Sequence, residues 1–139
     1  MSEQRNSPLL YGYSLLELLL VLALVSILMS LALPQWQGQQ VKVRRQVAWL
    51  NLQHIALAQV EYQHQMGVAA TDIANLGVTD KDAGYDYLIR LEENAVVIIA
   101  QVRAAGPQQN DKACWQLIWH SRDGEYALDS LGAKTVNCR

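Results

Sequence analysis

The sequence lacks the short motifs with which many enzymes hold a metal, a phosphate or a reactive thiol pair. It contains no HExxH pattern, no CxxC pair and no glycine-rich phosphate loop. The histidines are His54, His64 and His120, and the first two stand ten residues apart, so they do not form the i, i+4 pair of a helical metal site. We therefore expect no catalytic, metal-binding or cofactor-binding residue, and a protein that is not an enzyme.

The sequence also lacks a large excess of either positive or negative charge. Lys and Arg number 11 against 13 Asp and Glu, which leaves a formal net charge of -2. From residue 68 onward, 7 basic residues are outnumbered by 10 acidic ones. Nucleic-acid-binding domains usually carry a basic surface, so DNA is a disfavoured partner. The candidates for a local basic patch are Arg90, Arg103, Lys112 and Arg122.

Cysteine occurs only twice, as Cys114 and Cys138. Two cysteines allow one intrachain bridge, and an export or membrane segment upstream would place them in an oxidising compartment. We therefore expect a disulfide, which closes a loop of about 25 residues and stabilises a small domain by roughly 3.5 kcal/mol. Two unrelated buried thiols are the alternative.

One long apolar run stands out near the N-terminus. Residues 15–33 are interrupted only by Glu17, Ser26 and Ser30. As a helix they would span about 28 Å, close to the thickness of a bilayer core. A carboxylate at membrane depth costs about 2.5–3.5 kcal/mol or more and normally has a partner, so Glu17 is a candidate functional residue.

Three interpretations of this run are open. The first, a secretory signal, would be shorter, although residues 30–32 offer a cleavage site. The second, a plain membrane anchor, fits the length but leaves Glu17 unexplained. The cations Lys42, Arg44 and Arg45 would by simple count place the C-terminal side of such an anchor in the cytoplasm.

The third interpretation is a processed subunit that polymerises. Cleavage after Gly12 would create an α-amine at Tyr13, about one helical turn from Glu17. That amine would pair with Glu17 of a neighbouring subunit, which offsets part of the cost of both charges in lipid. A single polar pair of this kind also fixes the register between helices.

The sequence GYSLLE at residues 12–17, followed by the apolar run, closely resembles the N-terminus of type IV prepilins. The resemblance implies a leader peptide at residues 1–12 and cleavage between Gly12 and Tyr13. It also implies N-methylation of Tyr13 and an assembly role for Glu17. Prepilins usually have Phe or Met at the position of Tyr13.

The same resemblance implies an organisation for the whole chain. Residues 13–34 would be the hydrophobic transmembrane and polymerisation helix, residues 35–66 its amphipathic second half, and residues 67–139 the globular β-sheet domain. Pro34 matches a helix break found in many type IVa pilins, because proline lacks an N–H and clashes with the preceding turn. Gly67 is the expected end of the helix.

The amphipathic half carries two apolar stripes, which indicate a helix between its own sheet and neighbouring subunits or, alternatively, one broad core face. The first stripe comprises Ala48, Leu52, Ile55, Tyr62 and Met66, with Gln59 as its polar position, and the second comprises Val43, Val47, Leu50 and Leu57. The basic group of Lys42, Arg44 and Arg45 is either solvated or faces lipid headgroups, or it pairs with an acidic loop of another subunit. The pattern over residues 43–61 is similar to that of PilE-like minor pilins.

The C-terminal half predicts four antiparallel strands and a tail that the disulfide attaches to the third. The strand patterns lie at residues 85–92, 96–102, 114–120 and 126–128. The second, a continuous apolar run, suits a strand that is covered on both faces. A short helical turn is expected at residues 71–76. One long helix on one antiparallel sheet is an α+β architecture, and the resemblance makes it a pilin fold with a C-terminal disulfide loop.

The function that the resemblance implies is that of a structural subunit of a type IV pilus, a minor pilin that contributes to filament assembly. Twitching motility, adhesion or DNA uptake would be properties of the filament. The chain would lie in the inner membrane with a periplasmic globular domain before assembly, and in the extracellular filament afterwards. Its partners would be other pilin subunits, the prepilin peptidase, the inner-membrane assembly machinery and the membrane itself. The alternatives are a DNA-binding competence pilin and a type II secretion pseudopilin, for which the late cysteine pair is unfavourable.

Replacing Gly12 with a bulky residue tests the processing site. We expect Gly12→Leu to leave the leader attached, because it changes the residue before the cleaved bond, whereas the unchanged protein should begin with methylated Tyr13. Mass spectrometry of the N-terminus measures both, with Ser2→Ala as a control inside the leader. A native chain that begins at Met1, or beyond Ala32, would contradict this interpretation.

Overall fold

The computed structural model of the protein describes residues 14–78 and 84–138, apart from the side chains of residues 32–35. The chain divides into two compact units, Met1–Gln37 and Gly38–Arg139. The described part of the first unit is helical, and the second unit contains the rest of that helix, a sheet and the loops between them.

Helix α1 spans Leu15–Met66. In the first unit its most frequent residue is leucine, which is a strong helix former. Two hydroxyl groups there bond to the carbonyls of the helix itself: Ser26 Oγ donates to Leu22 O at 2.7 Å, and Ser30 Oγ to Ile27 O at 2.7 Å. These polar side chains are therefore satisfied without a partner from outside the helix.

Glycine ends α1, as the sequence predicts. Gly67 has a φ of 75°, and its N–H donates to Gln63 O at 2.9 Å. Glycine adopts this left-handed conformation without the strain that a Cβ would cause. A 3₁₀ turn, Ile73–Leu76, follows within the region where a short helical turn is expected. Asp72 caps this turn by accepting the N–H of Ala74 at 3.1 Å.

The described part of the second unit contains one antiparallel sheet of five strands, which lie side by side in chain order. The strands are β1 (Tyr85–Glu92), β2 (Ala95–Val102), β3 (Gln116–His120), β4 (Gly124–Leu128) and β5 (Lys134–Thr135). The predicted α+β class, with a long N-terminal helix and an antiparallel sheet, is confirmed. The predicted count of four strands is wrong, because the two residues of β5 are too few to show an alternating pattern.

A tight turn returns the tail to β4 and so creates β5. Asp129 Oδ1 accepts the N–H groups of Leu131 at 2.8 Å and Ala133 at 2.9 Å. Aspartate favours turns because its side chain bonds to backbone groups a few residues later. Gly132 supplies the positive φ, 84°, that the reversal requires.

The core of the second unit lies between α1 and one face of the sheet. The first apolar stripe provides the helix side, where Ala48, Leu52 and Ile55 are buried. The strand residues in the same cluster are Tyr85, Tyr87, Ile98, Ala100, Val102, Leu117 and Ala127. Burying one Leu or Ile side chain stabilises a fold by roughly 1.5–3 kcal/mol, so this stripe holds α1 on the sheet.

One polar side chain lies within that stripe. Gln59 is 2% exposed, and its Nε2 donates to Ala70 O at 3.3 Å. The bond gives a buried amide a partner and attaches the last turns of α1 to the loop that follows.

The opposite face of the sheet also buries apolar side chains. This cluster comprises Val97, Ile99, Ile118, Tyr126 and Leu128. At the β5 edge, Lys134 Nζ lies 4.5 Å from the centre of the Tyr126 ring, which places a cation over an aromatic face. Strand β2 therefore has buried residues on both faces, as its continuous apolar sequence predicts.

The predicted disulfide is confirmed. Cys114 and Cys138 are bonded, their Cα atoms are 5.7 Å apart, and both residues are buried. The carbonyl oxygen of Cys138 also accepts the indole N–H of Trp49 at 2.9 Å. The C-terminal tail is thus held by the bridge to the segment before β3 and by a hydrogen bond from α1.

Removing the bridge should lower the free energy of unfolding by about 3.5 kcal/mol, because the unfolded chain without the bridge has a higher conformational entropy. We expect this loss in the Cys114→Ala/Cys138→Ala double variant, and also in the unchanged protein under reducing conditions. Urea denaturation measures both, with detergent present to cover the apolar helix. The reductant should leave the double variant unaffected, which makes that variant the matched control. Equal stability with and without the bridge would contradict this stabilising role.

Candidate functional site

The described part of the first unit is a helix whose apolar side chains receive no cover from other described residues. Its 13 large hydrophobic residues between Leu15 and Leu31 are each 43–76% exposed. Exposed apolar patches larger than a few hundred Å² usually mark contact sites for proteins or membranes. The exposed face of this helix is therefore a candidate contact surface.

Glu17 lies in the first turn of α1 and is exposed. Within residues 14–78 and 84–138, no hydrogen bond or ion pair involves its carboxylate. The positive end of the helix dipole favours an acid at this position, but the effect is worth only about 0.3–1 kcal/mol. In an apolar environment a full counter-charge would thus have to come from outside the described residues.

The membrane span predicted at residues 13–34 stays a prediction. Among the described residues, no single helix is long and apolar enough to cross a membrane. The stretches Leu15–Leu31 and Trp36–Met66 meet the criteria of length and composition only as a pair.

Three predicted site residues fall wholly or partly outside the described structure. Gly12 and Tyr13 lie outside the described residues, so cleavage and methylation there stay predictions. Helix α1 is assigned through position 34, but the side chain of Pro34 is not among those described. The helix break at Pro34 therefore also stays a prediction.

In the second unit, α1 has an apolar face that the described part of the sheet leaves uncovered. Residues of the second stripe are 42–71% exposed: Val43, Val47, Leu50 and Leu57. By contrast, Ala48 and Leu52 in the first stripe are 0% exposed. The helix thus has two apolar faces, only one of which packs on the sheet, and the alternative of one broad core face is wrong.

A buried ion pair attaches this part of α1 to the loop between β2 and β3. Arg45 Nε donates to Asp111 Oδ2 at 2.7 Å, and Arg45 Nη2 donates to Asp111 Oδ1 at 2.6 Å. The Arg45 and Asp111 side chains are only 15% and 3% exposed. The hydrogen bonds to Asp111 raise the pKa of Arg45 above its usual value, and this effect outweighs the opposing effect of burial.

Gln108 completes this arrangement, and we call Arg45, Asp111 and Gln108 the loop clasp. Gln108 is 1% exposed, and its Nε2 donates to Asp111 Oδ2 at 2.9 Å and to Val41 O at 3.1 Å. The Tyr85 hydroxyl lies 3.4 Å from the same nitrogen. One amide group therefore bonds to both the loop carboxylate and the helix backbone, so the loop holds α1 at two positions one turn apart.

The three basic residues that follow the apolar run have different surroundings in the structure. Among the described residues, Arg45 pairs with an acidic loop, but that loop belongs to the same chain. Arg44 Nη1 donates to Pro107 O at 3.4 Å, whereas Lys42 is exposed. The solvated, headgroup-facing and intersubunit alternatives are therefore all wrong for Arg45, and they stay predictions for Lys42 and Arg44.

The four candidates for a basic patch do not come together on one part of the surface. Arg90 and Arg122 lie toward the end of the sheet where β3 turns into β4. Arg103 and Lys112 lie at the opposite end, after β2 and before β3. Arg103 is also paired with Asp86 at 2.6 Å. This division weakens the case for DNA binding by the chain itself.

No group of His, Cys, Asp and Glu side chains within the described residues could hold a metal ion. Comparison of the chain with protein-family models finds no match, and comparison with curated proteins finds none either. The resemblance to type IV prepilins therefore stays a prediction that rests on the residues quoted above.

The sequence reveals the loop clasp only in part. Arg45 is conspicuous as a charged residue, but nothing in the spacing shows that it meets Asp111. Two signals together could have indicated the pair. Asp111 is the only acidic residue between β2 and β3, and Arg45 lies on the same helix face as the buried Ala48 and Leu52. A charged side chain on a core face needs a partner. Asp111 is the acidic residue nearest in sequence to the disulfide, which closes the same side of the core.

Asp111→Asn should lower the free energy of unfolding by about 3–5 kcal/mol, because it leaves a buried guanidinium without its counter-charge. The matched control is Asp86→Asn, which breaks an ion pair of the same length to Arg103. In that pair the Arg103 and Asp86 side chains are 41% and 58% exposed, so the control should cost less than about 1 kcal/mol. Urea denaturation in detergent measures both losses. Equal losses would show that burial adds nothing to the strength of the loop clasp.

Proposed function

We propose that this chain is a structural subunit of a type IV pilus, a minor pilin that contributes to assembly of the filament. The observation that carries the proposal is the exposed apolar helix of the first unit, with one carboxylate, Glu17, in its first turn. The prepilin-like sequence at residues 12–17 supports it. The α+β fold with its C-terminal disulfide is compatible with a pilin fold.

In such a filament, the apolar helices of many copies would cover one another. A helix that is hydrophobic on all sides is stable only when it is surrounded by apolar groups. The inner membrane would supply those groups before assembly, and neighbouring helices would supply them afterwards. One segment would thus act first as an anchor and then as part of the filament core.

Glu17 would set the axial register between subunits. After cleavage behind Gly12, the α-amine of Tyr13 would lie about one helical turn from Glu17. An unpaired carboxylate at membrane depth costs about 2.5–3.5 kcal/mol or more, so a subunit is stabilised most where its Glu17 meets the amine of the next subunit. A subunit displaced along the axis would lose this pair, which leaves one favoured offset.

The second apolar stripe of α1 supports assembly independently of the N-terminal sequence. Its side chains, from Val43 to Leu57, are largely exposed in the single chain, and contact with neighbouring subunits would bury them. The loop clasp and the hydrogen bond from Trp49 hold the sheet on α1 at the beginning of this stripe. A subunit could therefore be packed through its helix without losing its sheet.

The proposed partners are other pilin subunits, the prepilin peptidase and the inner-membrane assembly machinery. The proposed location is the inner membrane, with the sheet in the periplasm, and later the extracellular filament. A type II secretion pseudopilin would have the same N-terminal signature. Deletion of the chain separates the two, because loss of surface filaments supports a pilus and loss of protein secretion supports a pseudopilus. Salt-dependent DNA binding by the purified chain would instead favour a competence pilin.

Glu17→Val tests the proposed register. We expect cleavage before Tyr13 to continue, since the cleaved bond is unchanged, while incorporation into filaments falls by roughly tenfold or more because the intersubunit pair is lost. Mass spectrometry measures cleavage, and immunodetection in sheared filaments measures incorporation. Ser30→Val is the matched control, because it also removes a polar side chain from the same helix, and it should assemble normally. Normal incorporation of Glu17→Val would remove the register role.

A further inference from the structure

His120 forms an unusual cap at the end of β3. The residue is 6% exposed, and its Nδ1 accepts two backbone N–H groups, from Arg122 at 3.2 Å and from Asp123 at 3.1 Å. Both donors belong to the turn of residues 121–123, which β3 and β4 close at the pair of His120 and Gly124. Aspartate or asparagine commonly caps turns in this way, but here an imidazole provides the acceptor.

These two hydrogen bonds define where the ring carries its proton. A ring nitrogen that accepts a hydrogen bond has a free lone pair, so Nδ1 of His120 is unprotonated and the neutral ring carries its hydrogen on Nε2. The opposite ring orientation would place a carbon against the N–H groups of Arg122 and Asp123. The backbone donors therefore select the orientation described.

The other side of the ring faces two carboxylates. Nε2 of His120 lies 3.6 Å from Glu92 Oε2 and 3.6 Å from Asp123 Oδ2. Both distances exceed that of a good hydrogen bond. These side chains border a cleft of about 270 Å³ between the β1–β2 turn and the β3–β4 turn. The ring thus stands between a backbone that requires an acceptor and acids that favour a donor.

The charged and titratable groups around the ring come from strands β1 and β4 and from both turns. They are Arg90 and Glu92 on β1, Glu93 in the β1–β2 turn, Arg122 and Asp123 in the β3–β4 turn, and Tyr126 on β4. From β2, the neighbour in register with His120 is the apolar Val97. Burial, with the charges of Asp123 and Glu92, raises the pKa of Tyr126, so this phenol stays neutral where histidine titrates. Three acids and two cations thus surround the ring.

We propose that His120 is a proton-operated latch on the β3–β4 turn. In the neutral ring, Nδ1 holds the turn through the N–H groups of Arg122 and Asp123. A proton taken up from solvent converts Nδ1 into a donor, so both bonds are lost. The charged ring is then attracted to the carboxylates of Glu92 and Asp123. Histidine suits this role because the same ring nitrogen accepts a hydrogen bond when unprotonated and donates one when protonated.

The latch does not depend on the proposed pilus function, because all of its atoms lie at one end of the sheet. In the neutral and the charged state the ring interacts with different groups, as a bistable element requires. The neutral state links the ring to the backbone of its own turn, whereas the charged state links it to the β1–β2 hairpin through Glu92. Acidification would thus replace the two hydrogen bonds within the β3–β4 turn by an attraction between that turn and the β1–β2 turn.

Nuclear magnetic resonance on the full-length chain in detergent micelles tests the latch. The ¹⁵N shifts of the imidazole nitrogens should report a proton on Nε2 of His120 at pH 8, and protons on both nitrogens at pH 5. Over the same range, the hydrogen-exchange protection factors of the Arg122 and Asp123 amides should fall by roughly fivefold or more, corrected for the intrinsic pH dependence of exchange. His54 and His64, which are exposed on α1, are internal controls whose titration should leave these amides unchanged.

His120→Asn provides the matched variant, because an amide oxygen can still accept the turn N–H groups but does not titrate in this range. We expect its Arg122 and Asp123 protection factors to be independent of pH between 5 and 8. The proposal is overturned if His120 carries its neutral proton on Nδ1. It is equally overturned if both amides keep their protection while the ring becomes charged, or if the Asn variant loses protection on acidification as the unchanged protein does.

Discussion

The structure depends on one constraint: α1 has more apolar surface than one small sheet can cover. The first stripe is buried on the sheet from Ala48 to Ile55, and this burial holds the second unit together, whereas Met66 at its end is exposed. The second stripe and the leucine-rich start of the helix remain exposed. The second unit has a buried core, but α1 keeps an exposed apolar surface. This exposed surface is the physical basis for the proposal that α1 packs against other apolar groups.

Apolar packing alone would not fix where α1 lies along the sheet, because hydrophobic contact has no preferred direction. Polar bonds at successive positions of the same helix face supply that information. Arg45 bonds to Asp111, Trp49 donates to the carbonyl of Cys138, and Gln59 donates to Ala70. These bonds join α1 to the β2–β3 loop, to the C-terminal tail and to the loop that follows α1, and sliding the helix along the sheet by one turn would break the first two. Because these groups are buried, each broken bond would also leave a polar group without a partner.

The parts of this structure that the sequence predicts are those with a repeated or local signal. The apolar stripe, the glycine at the end of α1 and the continuous apolar run of β2 all follow from periodicity or backbone preference. The disulfide follows from a count of two cysteines. Strand β5 has no such signal, because its pairing depends on the turn at Asp129 and on the bridge. The loop clasp and the cap formed by His120 depend on where distant residues meet, which spacing along the chain does not encode.

Strand β3 lies in the middle of the sheet, and its two ends differ in how they are held. At its start, Cys114 is bonded to Cys138, and the carbonyl of Cys138 accepts the indole N–H of Trp49 on α1. A load on α1 in the proposed filament would therefore reach a central strand through a covalent bridge, not only through the short edge strand β5. At its other end, His120 holds the β3–β4 turn through two hydrogen bonds that its Nδ1 accepts. In that filament, the load would enter β3 at the end joined to the disulfide, and the turn held by His120 would lie at the opposite end.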